Sequence, residues 1–255
     1  MGSNTEAESM QLLGVRIDTL SMEQTGQRAR DFLHSKKQHM IFTPNPEMLV
    51  SAHRNAYFKT VLNEADVNVC DGRGIELLSK EKITRLPGID VMKVLCGLAQ
   101  ESEKSVYLLG SGDSTTIAAA AEQIRTEFPA LRIVGYDKGM NIIKKSECET
   151  ISYDDDDNER MITDIIMAAP DILFVGFGHE KQELWIYEQL PNLPSVRIAM
   201  GVGGSFDILA GKLKRAPVVL QRIGLEWLWR LILQPRRLKR IWNAVIVFPF
   251  LCVTK

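Results

Sequence analysis

The strongest constraint on this chain is a repeated alternation. Short apolar runs end at polar or glycine-rich corners and lead into segments with helical spacing. The strand-like runs are Leu12–Ile17, His39–Thr43, Val67–Cys70, Ser105–Leu109, Arg132–Gly135, Asp171–Val175 and Val196–Met200. Between them, helices are predicted over residues 21–35, 47–64, 75–80, 90–101, 114–128, 158–169 and 181–190. Ser21 is placed to cap the first of these. Strands separated by helices need crossover connections, which parallel strands use and hairpins do not. The fold class expected is α/β: Rossmann-like, a mostly parallel sheet with helices on both faces.

The charge distribution divides the chain. Residues 1–200 hold 21 Lys+Arg against 30 Asp+Glu, net −9; residues 201–255 hold 10 against 2, net +8. The expected organisation is a frayed polar N-terminus (1–10), a catalytic α/β domain (11–210) and a basic amphipathic appendage (211–255) that associates with a membrane. In the appendage Pro217 is read as opening one apolar helix through Leu233, with Arg222, Glu226 and Arg230 as a polar stripe at i, i+4, i+8. Arg236, Arg237, Lys239 and Arg240 then stand beside Trp242, Phe248 and Phe250, cations for anionic headgroups and aromatics for the acyl boundary. The alternatives are a helix pair docked on the body, with which membrane contact is compatible, and a nucleic-acid surface. The latter is disfavoured because the aromatics form no stacking platform. No run reaches the ~20 apolar residues of a membrane span. The four dispersed cysteines form no C-x-x-C pair and suit a reducing compartment.

Ligands of open α/β sheets sit beyond the carboxyl ends of the strands, so the residues at those ends are the candidates. They are Thr43 and Asn45, then Asp71, then Gly110 and Gly112, then Gly178 with Gln182 and Glu183, and finally Gly201–Ser205. Each has a plainer reading. Thr43 and Asn45 could only fix the Pro44/Pro46 corner, Asp71 could cap the next helix, and Glu183 could only complement a helix dipole. Gly110-Ser111-Gly112 lacks the third glycine of a dinucleotide fingerprint, yet Asp137 at the end of the following strand keeps a nicotinamide-dependent oxidoreductase open. Asp154–Asp157 reads as a solvated helix cap rather than a metal site, and the four histidines have no ligand spacing. P-loop, G-x-S-x-G and H-E-x-x-H motifs are absent.

Several longer segments, taken in order, resemble the WecG/TagA/CpsF glycosyltransferase family over roughly residues 11–245. They are Thr43–Met48, Asp71–Gly74, Arg85–Asp90, Lys181–Glu183, Gly201–Asp207, Gly211–Pro217 and Gly224–Trp227. The resemblance implies an inverting, metal-independent enzyme without a cofactor, serving teichoic acid or surface polysaccharide synthesis. It would move N-acetylmannosamine, or a related sugar such as its uronic acid, from a UDP donor to undecaprenyl-diphosphate-linked N-acetylglucosamine. It implies a peripheral protein on the cytoplasmic side of the cell membrane, with the appendage helping to close the site. By motif, Asp71 would be the general base, with Thr43, Asn45, Arg85 and Gln182 around the sugars. Gly110, Gly112 and Gly178 would line the substrate, and Arg85 or the appendage arginines Arg215, Arg222 and Arg230 would meet the diphosphate. One departure is Glu180, where the family often carries proline before Gln-Glu; it bears on donor preference. A non-catalytic membrane adaptor is the remaining alternative, and a homo-oligomer is left open.

Overall fold

The chain enters the fold through a hairpin. In the computed structural model, which describes residues 9–79, 82–145, 150–222 and 224–254, β1 (Ser9–Leu12) pairs antiparallel with β2 (Val15–Asp18). The expected single strand Leu12–Ile17 is therefore corrected. Leu13 and Gly14 adopt φ 52° and 83°, the positive values a two-residue hairpin turn demands. Residues 1–8 of the expected frayed N-terminus lie outside the described residues.

Next come α1 (Met22–His34), β3 (His39–Phe42), α2 (Pro46–Arg54), α3 (Ala56–Glu64), β4 (Val67–Asn68), α4 (Arg73–Leu78) and α5 (Gly88–Glu101). Ser21 caps α1 in a reciprocal pair with Gln24, as its position predicts. The helix expected over 47–64 is two helices. Asn55 leaves helical geometry and caps α3 by accepting the Phe58 N–H at 2.7 Å. The second half comprises β5 (Ser105–Gly110), α6 (Ser114–Glu127), β6 (Arg132–Asp137), β7 (Ile143–Lys145), β8 (Thr150–Ser152), α7 (Asp155–Ala168), β9 (Ile172–Gly176), α8 (Lys181–Gln189), β10 (Ile198–Gly201) and α9 (Ser205–Leu209). β7 and β8 form an antiparallel hairpin, and residues 146–149 between them lie outside the described residues. Asp154 caps α7 through the Asp157 N–H at 3.0 Å, so the cap reading of that run holds.

Six strands form one parallel sheet in the order β4–β3–β10–β9–β5–β6. Both faces are covered, and the strand residues divide by parity. Phe42, Tyr107, Leu109, Leu173, Val175 and Ala199 pack with α2, α3, α7 and α8. Ile41, Val106, Leu108, Ile172, Phe174, Ile198 and Met200 pack with α1, α5, α6 and α9. The α/β, Rossmann-like expectation is thus met. All six strand ends point to one edge, where a crevice opens.

From Gly211 onward the described chain contains no strand. It runs through α10 (Val218–Arg222), α11 (Glu226–Leu233), α12 (Leu238–Trp242), a π-helical turn over Asn243–Val247, and α13 (Phe248–Val253). The single helix expected over 217–233 is corrected, because the chain breaks at Gly224. That residue adopts φ +79°, and a Cβ there would lie 2.6 Å from the Arg73 side chain. Only glycine tolerates both. Phe248 is fully buried in the body's core, beside Val247 and Leu251.

Candidate functional site

Three segments of the body and two of the appendage enclose a cavity of about 430 Å³ at the crevice. The body contributes the β3–α2 corner (Asn45, Glu47), the residues after β4 (Asp71, Arg73) and Arg85. The appendage contributes Leu225, Glu226, Trp227 and Arg230 from around α11, then Arg237, Arg240, Ile241 and Val245. Five guanidinium groups face three carboxylates here, leaving two positive charges in excess when all are ionised. Leu77, Leu225, Trp227, Ile241 and Val245 form an apolar wall beside this charged floor.

Asp71 sits on that floor, partly buried. Its Oδ2 accepts the N–H of Gly88, the first residue of α5, at 3.3 Å. It does not cap its own helix, since the cap position of α4 is Gly72 and carries no side-chain bond. Burial pushes the Asp71 carboxyl up; Arg230 and Arg85 pull it back, and Glu226 pushes it up again. Thr43 Oγ1 and Asp71 Oδ2 converge over Gly88, 3.1 and 3.6 Å from where a Cβ would stand there. Arg85 is ion-paired to Glu226, which also receives Arg230 at 3.0 Å. Against burial, these two cations hold Glu226 below the ordinary carboxylate range.

The same arrangement lies on a chain that matches known proteins. The sequence model of the glycosyl transferase WecG/TagA/CpsF family matches residues 10–255. The chain belongs to this family. Similar proteins include an N-acetylglucosaminyldiphosphoundecaprenol N-acetyl-beta-D-mannosaminyltransferase of Bacillus spizizenii, 33% identical over 82% of this chain and 77% of that protein. Proteins of the same name from Bacillus subtilis and Staphylococcus aureus are 31% and 28% identical, covering 83% and 97% of this chain and 78% and 92% of theirs. As a member of the WecG/TagA/CpsF family, the chain is a glycosyltransferase.

The structure brings four of the sequence-predicted residues of this transferase onto the cavity: Asn45, Asp71, Arg85 and Arg230. Asn45 also caps α2, accepting the Met48 N–H at 3.1 Å, so its plainer reading holds as well. Thr43 stands beside Asp71 at Gly88, and the remaining residues with described side chains lie elsewhere. Gln182 is buried beside the β10–α9 turn. Its Oε1 accepts the Gly203 N–H at 3.0 Å and its Nε2 donates to Glu183 at 2.7 Å. Gly110 (φ +119°) presses on the Gly176 backbone, where a Cβ would stand 2.7 Å away. Gly112 and Gly178 face open space on the same edge of the sheet. Arg215 is a joint rather than a cavity group, bonded in bidentate fashion to Asp90 at 2.8 and 2.7 Å. The Arg222 side chain lies outside the described residues. Asp137, the acidic residue of the oxidoreductase alternative, is held by Arg160 at 3.0 Å and by the Gly139 N–H at 2.7 Å.

Sequence reasoning missed Glu47, Arg73, Arg237 and Arg240 as cavity residues. Burial lowers the Arg237 guanidinium to about 10, with Arg240 and Arg230 adding to the effect, and it stays cationic near neutrality. The density of arginine after Pro235 was the available signal. Glu180 departs from the family's proline with a consequence: it adopts φ +70° at the head of α8 and pairs with Lys144. Proline, locked near −65°, could not take that backbone. Among the described residues, no group of three or more His, Cys, Asp or Glu is arranged to hold a metal ion. None of their helices is long and apolar enough to cross a membrane.

Proposed function

We infer that this chain transfers N-acetylmannosamine, or a closely related sugar, from a UDP donor to undecaprenyl-diphosphate-linked N-acetylglucosamine. The carrying observation is a carboxylate, Asp71, facing an arginine-rich cavity that the appendage closes. An excess of two positive charges suits a diphosphate, and guanidinium groups match its oxygens in bidentate fashion. The acceptor hydroxyl oxygen attacks the anomeric carbon from the face opposite UDP. The C–O bond to the diphosphate breaks with its electron pair leaving on UDP, and the hydroxyl proton passes to Asp71. Burial prepares Asp71 for this work, since a carboxylate with a raised pKa is a stronger base. Arg85, Arg230, Arg237 and Arg240 meet the charge of the diphosphates, so the reading expects no need for a divalent ion. Gln182 supports the Gly203 turn, and the open glycines Gly112 and Gly178 leave room for the donor.

The division into a catalytic body (11–210) and an appendage (211–255) belongs to the same proposal. Exposed Leu238, Trp242, Ile246 and Phe250 stand among exposed Arg236 and Lys239. This composition fits the headgroup region on the cytoplasmic side of the membrane. There a lipid-linked acceptor could enter along the apolar wall.

The test is UDP release from several UDP-sugars with a short-chain lipid-diphosphate N-acetylglucosamine and EDTA present. Turnover is expected with UDP-N-acetylmannosamine. It should climb with pH as Asp71 loses its proton, with a midpoint above the ordinary carboxylate range. Asp71→Asn should lower it by about 10²–10⁴-fold and leave UDP binding intact. Near-normal turnover by that variant would remove Asp71 as the base.

A further inference from the structure

Glu47 is a buried carboxylate on the first turn of α2, 9% exposed. Both of its oxygens face one appendage group, Arg240 Nε, at 2.8 and 2.9 Å. His179, in the loop between β9 and α8, completes a ring. Its Nδ1 lies 3.1 Å from Arg240 Nη2, and its Nε2 lies 3.5 Å from Glu47 Oε1. Burial pushes the His179 pKa down to about 3, with Arg240, Lys144 and Arg237 adding to the effect. The ring is therefore neutral, which fixes the roles: Nδ1 accepts from Arg240 and Nε2 carries its proton toward Glu47. Two N–H groups of the guanidinium are spent on this seat. Three of its five donors remain, and Arg240 lines the cavity.

Two of the seat's three parts belong to the body and one to the appendage. The cavity also holds Arg230 and Arg237, which repel Arg240, while Arg230 has its own carboxylate in Glu226. Without Glu47 and His179, nothing among the described contacts would draw Arg240 into this cluster. We propose that Glu47 and His179 are positioning residues that seat Arg240 of the appendage over the cavity and orient its free donors toward a substrate diphosphate. This rests on the transfer reaction inferred above, and the experiment separates the two.

The full-length protein is assayed by UDP release from UDP-N-acetylmannosamine with the short-chain lipid-diphosphate acceptor. Glu47→Ala should lower kcat/KM about tenfold or more, the loss expected for a hydrogen bond to a charged group. The double variant Glu47→Ala/Arg240→Ala should be no worse than Arg240→Ala alone, because the seat acts only through that arginine. A merely structural part for Glu47 would make the two losses multiply, and that result overturns the proposal. Glu47→Gln, nearly isosteric, guards against a folding defect and should show the same non-additivity with a smaller loss; His179→Ala should cost less again. Amide hydrogen exchange gives a readout independent of turnover. Across residues 235–242 it should quicken several-fold in Glu47→Gln and stay unchanged in the strands of the sheet. Unchanged exchange in α12 overturns the seat. Absence of wild-type turnover with altered α12 exchange would sink the proposed reaction and leave the seat standing.

Discussion

The body and the appendage are stabilised by different means. Strands β5, β9 and β10 are buried along nearly their whole length, with helices against both faces. The appendage keeps Val218, Val219, Ile232, Leu238, Trp242 and Phe250 more than half exposed, and Phe248 is its one large side chain fully buried among the described residues. Val247, Leu251 and Cys252 pack beside it, partly buried, and ionic ties add to these contacts: Arg215 to Asp90, Glu226 to Arg85, Arg240 to Glu47 and Lys212 to Asp113. Burying one phenylalanine contributes about 1.5–3 kcal/mol, whereas a partly exposed ion pair such as Arg215–Asp90 contributes about 0.2–1 kcal/mol. The buried ring therefore outweighs any one pair of that kind, and the ion pairs set where the appendage lands. On the proposed reaction, a segment held this lightly would leave the crevice to admit a lipid-linked acceptor without unfolding the sheet.

Removing residues 211–255 should have the largest effect. It strips the cavity of Arg230, Arg237 and Arg240 and should lower transfer by at least about 10²-fold, the usual loss on deleting one group that stabilises developing charge. Binding to anionic vesicles should disappear with it, as sedimentation would show. Full activity in the shortened chain would mean that the body alone holds the reaction. Phe248→Ala comes next. A buried Phe→Ala change costs about 3–5 kcal/mol, and the comparison says where that cost falls. Tryptic cutting after Lys239 and Arg240 should accelerate at least tenfold while the thermal midpoint of the body moves little. If the whole loss appears in global unfolding, body and appendage fold as one unit and the contrast between them fails.

How much was legible beforehand follows the same divide. The sheet was readable because its central strand runs are largely apolar on both faces, which is a local pattern. Asp71 was readable because Val67–Cys70 stops at it, so its place at the crevice follows from the strand. The break at Gly224 was not readable. The helical pattern runs through it, and the reason for the break is Arg73, far away in sequence. That break resets the helix phase, so the stripe through Arg222, Glu226 and Arg230 could not say which arginines enter the cavity. Arg215 went to Asp90, while Arg237 and Arg240 entered instead. The Leu13-Gly14 turn was in the sequence but was hidden by apolar residues on both sides.

The smallest expected effect is the sharpest test of the contrast. Arg215 and Asp90 meet in good bidentate geometry, yet their side chains remain 29% and 35% exposed. Water competes for both groups, and salt screens them. Asp90 also lies in the first turn of α5, where a carboxylate complements the helix dipole; asparagine in its place gives up the charge and keeps the size. Asp90→Asn should therefore cost under about 1 kcal/mol, seen as a small fall in thermal midpoint and less than a doubling of tryptic cutting after Lys239. The difference from wild type should shrink as salt is raised. A cost equal to that of Phe248→Ala would reverse the ranking, making ionic contacts the hold and the buried ring an accessory.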